Sequence, residues 1–190
     1  LIPYSEYERL QAAVRSHAGE TPPPASYALS PCRLEARLSG SEHLVVRGSL
    51  NVTLPRDTQT AVPLPLAGCV LRSVTVDGTP GRLGASPATA QAQARQSDQA
   101  PGGKTPLLLL DGRGVHRVDF EIAVPLSRRG GWRVANARLP VPPAASLRLT
   151  VPHRDTEVIF AGMHDQPLLR TTEDNQVWET ALGHRGTLRI

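Results

Sequence analysis

The chain has 190 residues, a formal net charge of +4 and a pI near 9.7, which fits one large domain or two small ones able to bury a core without metals or several disulfides. Aromatic residues make up only 4%, too few for the stacked platforms of single-strand nucleic-acid binders, so nucleic acid is not an expected partner. No apolar run reaches the length of a membrane-spanning helix, and the 18 prolines and 16 glycines favour short strands over long helices.

The first element in the chain is a helix. Ser5 and Glu8 are spaced as a capping box, with each side chain meeting the other's backbone amide. Tyr7, Leu10 and Val14 fall on one face at helical spacing, and Gly19 is a suitable stop. A helix over 1–19 is too short to persist alone in water and must dock on something. Residues 20–26 form a proline-rich, extended linker.

From residue 27 the pattern has period two. Cys32, Leu34, Ala36 and Leu38 alternate with Arg33, Glu35 and Arg37. Leu44, Val46, Gly48, Leu50, Val52 and Leu54 share the next apolar face, and residues 39–41 join the two runs as a hairpin. Cys69 to Val76 is a further strand, ending at the turn signal Asp77-Gly78. Residues 84–104 are rich in Ala, Gln, Ser and Gly and read as a loop. The run Leu107–Leu110 suits a strand buried on both faces. After Asp111-Gly112, the residues Val118, Phe120, Ile122 and Val124 alternate with Arg117, Asp119 and Glu121. Arg128 to Gly131 is a turn, and Val134–Leu139 a short strand. The prolines at 140–143 break the pattern. Strands follow at 147–151, 158–160, 168–170, 177–182 and 187–190.

About ten to twelve short strands at this spacing predict an all-β fold. We expect an antiparallel β-sandwich, immunoglobulin-like or jelly-roll-like, over 27–190, with the short N-terminal helix ahead of it. The likeness of Ser49–Pro55 to Ser146–Pro152 keeps a second option open, two β units parting near 140–143. Leu1 is not a methionine and Ile190 falls within an expected strand, so the chain is expected to be a segment of a longer protein.

Chemistry is sparse. The chain holds no Gly-x-Ser-x-Gly elbow, no zinc-peptidase helix motif and no phosphate loop. No cofactor is expected. His153, Asp155, His164 and Asp165 are the best metal-ligand candidates, in adjacent loops, with solvated turns as the plainer reading. Arg128, Arg129 and Trp132 are the best ligand-binding candidates, suited to a glycan or a polyanion. The plainer reading puts Trp132 and Trp178 in the core. Cys32 and Cys69 are either bridged or buried as free thiols.

Leu1-Ile-Pro-Tyr-Ser-Glu-Tyr-Glu-Arg-Leu resembles segments of large uncharacterised bacterial envelope proteins. Val74-Thr-Val-Asp-Gly, Leu110-Asp-Gly-Arg-Gly-Val-His-Arg-Val and Ala123-Val-Pro-Leu are similar to their β-sandwich repeats. This resemblance implies an extracytoplasmic scaffold, in the periplasm, the cell envelope or secreted, with no assigned activity and no catalytic residues.

Three functions follow as expectations. The first is a non-catalytic module that contacts other domains of its own polypeptide or other envelope proteins. The second is a carbohydrate or anionic-polymer binding module. The third is the accessory β domain of a larger enzyme.

Overall fold

Strict alternation gives each strand one apolar side, and the computed structural model shows how those sides meet. It describes residues 26–85, 105–142, 144–152, 156–160, 167–182 and 187–190. The expected helix over 1–19, most of the linker and residues 86–104 lie outside the described residues. All regular structure among the described residues is β.

The strands in chain order are β1 Ala28–Leu29, β2 Cys32–Ser39, β3 His43–Leu54, β4 Thr60–Pro63, β5 Val70–Val76, β6 Thr79–Pro80 and β7 Arg82–Ala85. After them come β8 Pro106–Leu110, β9 Gly114–Arg129, β10 Trp132–Arg138, β11 Ala145–Pro152, β12 Leu168–Thr171, β13 Asn175–Leu182 and β14 Thr187–Arg189. Eight of them form the path β12-β13-β11-β2-β3-β9-β10-β14 of a large sheet, to which β1 adds through β3 and the β5–β6 pair through β9. The strands β4-β8-β7 form a separate small sheet.

The two sheets share one core. Leu34, Val46, Ile122, Leu147 and Leu149 of the large sheet cluster with Val62, Leu108 and Leu110 of the small one. Fully burying one such side chain contributes about 1.5–3 kcal/mol. In β8 the apolar run is explained by its central place: Leu108 and Leu110 are buried and Leu107 and Leu109 half-buried. Pro63 ends β4, an edge strand of the small sheet, where a missing N–H costs no ladder bond.

The β2–β3 hairpin, the long alternation of β3 and β9, and the turn after β5 are as expected. Asp77 (φ 50°) and Gly78 (φ 80°) both take the positive φ that a tight primed hairpin turn demands.

Three expectations are corrected. The sheet is mixed, not wholly antiparallel, because β11 pairs β2 in parallel, Leu147 beside Leu34 and Leu149 beside Ala36. This follows from the proline break, where the chain leaves β10 and crosses β9, β3 and β2 before it re-enters the sheet. Residues 156–160 form no strand, and Phe160 instead meets the Trp178 ring at 5.9 Å between centroids. The strand expected from Cys69 begins at Val70, which leaves Cys69 in the preceding loop.

Candidate functional site

One face of the large sheet points into the core; the other carries the polar half of each alternation. Register turns this outer face into ordered rows. Glu179 of β13 lies opposite Arg148 of β11, Arg148 beside Glu35 of β2, Glu35 opposite Arg47 of β3, and Arg47 opposite Glu121 of β9. Acid and base thus alternate across five strands. Arg47 Nε donates to Glu121 Oε2 at 2.8 Å, Arg72 of β5 reaches Glu121 Oε1 at 3.6 Å, and Arg148 Nε lies 3.9 Å from Glu179 Oε1. The bond from Arg47, aided by Arg72, holds the Glu121 carboxyl below the usual range.

A second row runs through Arg33, Ser49, Asp119 and Thr75. Glu35, Arg47 and Glu121 of the first row and all of the second line a shallow open depression of about 420 Å³. Its floor is set by Gly48 and Phe120, which face each other across β3 and β9.

This surface offers hydroxyls, guanidinium groups and carboxylates. Two of its three carboxylates are engaged, Glu121 by Arg47 and Arg72 and Asp119 by the Arg117 guanidinium at 3.1 Å, while Glu35 makes no ion pair within 4.0 Å among the described residues. The depression therefore presents both hydrogen-bond donors and acceptors.

The predicted ligand-binding residues lie elsewhere, at the tip of the β9–β10 hairpin. Gly130 (φ 54°) and Gly131 (φ 87°) make the turn, with Arg129 opposite Trp132 and Arg128 opposite Arg133. Successive strand residues face opposite sides. Arg129 and Trp132 therefore share one face, while Arg128 and Arg133 share the other. Trp132 is 45% exposed, which corrects the core placement. Trp178 packs against the core as expected. Arg133 donates to the Ser41 carbonyl and so ties the hairpin to the β2–β3 turn.

The four metal-ligand candidates, His153, Asp155, His164 and Asp165, lie outside the described residues. Among the described residues there is no group of three His, Cys, Asp or Glu side chains placed to hold a metal ion.

Cys32 and Cys69 are free thiols, so the bridge considered from the sequence is not formed. Cys32 is on β2, and Cys69 precedes β5, with β3 and β9 between those strands. Three strand spacings amount to ~14 Å, far beyond the ~7 Å that a disulfide spans between Cα atoms. Burial pushes both thiols up to about 11, which makes them poor nucleophiles at neutral pH.

The charged rows were missed in the sequence. Their signal was present, since Arg33, Glu35, Arg37, Arg47, Arg117, Asp119 and Glu121 all occupy the polar half of an alternation. Only the register of strands distant in sequence shows that they line up.

No protein-family model matches the chain, and no curated protein matches it in sequence. Among solved structures the fold is similar to part of leukotriene A4 hydrolase from the yeast Saccharomyces cerevisiae. In its complex with bestatin, the match has 9% identity and a TM-score of 0.54 and covers 100% of this chain and 32% of that one. The native yeast enzyme gives 9% identity, a TM-score of 0.53 and coverage of 100% and 33%. An M1 zinc metallopeptidase from Deinococcus radiodurans gives 10% identity, a TM-score of 0.49 and coverage of 86% and 41%. The chain spans about a third of the length of the yeast enzyme.

Proposed function

We propose that this chain is a non-catalytic β domain of a larger hydrolase, and that it works through contacts with the other domains of its own polypeptide. One observation carries the reading. The whole chain matches 32% of the yeast leukotriene A4 hydrolase chain, so in that enzyme this fold is one part among others.

Two further observations support it. The two sheets share one core, which supports a sandwich-type scaffold that leaves the other face of the large sheet outward. That outer face carries paired charges, Arg47 and Arg72 with Glu121 and Arg117 with Asp119. A surface of this kind suits contact with a neighbouring domain.

The test compares the isolated 190-residue chain with the natural polypeptide that contains it, using aminoacyl-amide and tripeptide substrates and bestatin. The isolated chain is expected to fold, to turn over none of the substrates and to bind no bestatin. The natural polypeptide is expected to hydrolyse them and to lose at least tenfold in rate when the domain is deleted. Turnover by the isolated chain contradicts the proposal, as does a natural polypeptide without hydrolytic activity.

A further inference from the structure

His116 lies near the start of β9 with an oxygen acceptor at each ring nitrogen. Nδ1 is 3.0 Å from Asp77 Oδ2, and Nε2 is 3.2 Å from the Gly112 carbonyl oxygen. A carbonyl has no proton to give, and neither has an ionised carboxylate. A neutral imidazole has a single N–H, so it satisfies one acceptor and turns a lone pair toward the other. Only the imidazolium donates to both.

These contacts join three segments. Asp77 is in the turn between β5 and β6. Its Oδ1 accepts from the Arg117 amide at 2.8 Å, and its own amide donates to the Arg117 carbonyl at 2.9 Å. That fixes the carboxylate against β9 independently of the ring. Gly112 is in the turn that leads from β8 in the small sheet to β9 in the large one. Gly112 (φ 86°) and Gly114 (φ 138°) give that turn a readily altered backbone. The imidazole is 17% exposed, so water replaces a lost bond poorly.

We propose that His116, Asp77 and the Gly112 carbonyl form a proton-dependent latch, which holds the turn between the two sheets closed while His116 carries its proton. When the proton leaves to solvent, the ring keeps one bond and repels the other acceptor, and the turn at 111–114 is released. The other charged groups around it do not compete for the ring. Asp57 lies beside Gly112. Asp111 is engaged by Gln59 at 2.9 Å and Arg82 at 2.7 Å. Arg113 lies in the turn itself, and the Arg117 guanidinium bonds Asp119.

The electrostatics agree with the geometry. The bond to Asp77 raises the imidazole above its ordinary value of 6.5, and the Arg117 amide, then His116, holds the Asp77 carboxyl below its own. The contribution of a raised histidine is complete below its unfolded value and is lost as pH rises through its folded value. The contribution of a lowered aspartate is complete above its unfolded value and is lost as pH falls through its folded value. The latch is therefore fully closed between about pH 4 and 6.5 and opens above the folded value of His116.

The experiment is an NMR titration of the 190-residue chain from pH 5 to 9. It follows the histidine ring nitrogens and the amides of Gly112 and Gly114. His116 is expected to carry protons on both nitrogens at pH 5.5, to titrate above the ordinary histidine value, and to move both amides with the same midpoint. In Asp77→Asn the midpoint should fall, and in His116→Gln the amides should lose their pH dependence. A single neutral tautomer at pH 5.5, or amides that ignore the His116 midpoint, would overturn the latch. The wild-type titration decides the matter even where a variant fails to fold.

Discussion

Gly48 sits in the middle of β3, directly opposite Phe120 of β9. A Cβ at this position would come within 2.3 Å of Phe120 Cζ and 2.6 Å of Leu34 Cδ2. The ring fills the space that a side chain would take, so the glycine is covered by an aromatic and does not leave a hole. Gly48→Ala forces the ring and Leu34 to move. Overpacking of this kind costs about 1–3 kcal/mol, and for a chain of this size each kcal/mol lowers Tm by roughly 2–4 °C. Thermal unfolding of Gly48→Ala is expected to show that loss, with Gly48→Ala/Phe120→Leu recovering part of it. An unchanged Tm in the single variant would mean that the ring is not packed on Gly48. Alternation alone marked position 48 as inward-facing. It did not show why a glycine stands there, because Phe120 is far away in sequence. The same limit concealed the separation of Cys32 and Cys69, which depends on the order of strands β2, β3, β9 and β5. It also concealed the place of Trp132, whose exposure comes from lying at a hairpin tip.

At the scale of elements, the long strands were legible, as were the short β8, β12 and β14, whereas β1, β4, β6 and β7 were not. β2, β3, β9 and β11 each repeat apolar residues at every second position over seven or more residues, so the period announces them. β4, β6 and β7 have two to four residues each, interrupted by prolines and glycines. Their pairing comes from neighbours, β8 for β4 and β7, and β5 for β6. The charged row across β13, β11, β2, β3 and β9 was legible residue by residue but not as a row. Its role follows from magnitude. Exposed ion pairs contribute about 0–1 kcal/mol each, whereas a slip of one residue would turn a buried apolar face to water. The row therefore reinforces a register that the core already sets. A double-mutant cycle on Arg47→Ala and Glu121→Ala is expected to give a coupling of about 0.2–1 kcal/mol at pH 7. Because the Glu121 carboxyl is lowered by Arg47, the coupling is present above the unfolded glutamate value, about 4.3. It is lost as pH falls through the folded value. A coupling that survives at pH 2 would show that the pair is not held by charge.

At the scale of the molecule, the proline break is the feature whose meaning changed most. Read from sequence, residues 140–143 mark either a loop within one domain or a boundary between two. In the structure the chain crosses the sheet between β10 and β11, and β11 lies parallel to β2. Residues on both sides of the break then share one core, with Leu34, Val46 and Ile122 before it and Leu147, Leu149, Leu182 and Leu188 after it. Such long-range pairing cannot be deduced from local pattern, because alternation gives a strand its faces but not its neighbours. It also underlies the proposed role, since a scaffold that presents one outer face to other domains must hold β13, β11, β2, β3 and β9 as a single surface. The most direct test is to express residues 1–140 and 141–190 separately and together, and to record amide NMR spectra of each. Neither fragment is expected to show dispersed signals alone, and mixing them should restore the spectrum of the intact chain. A fragment that folds by itself, with the dispersed spectrum of an independent domain, would contradict the account.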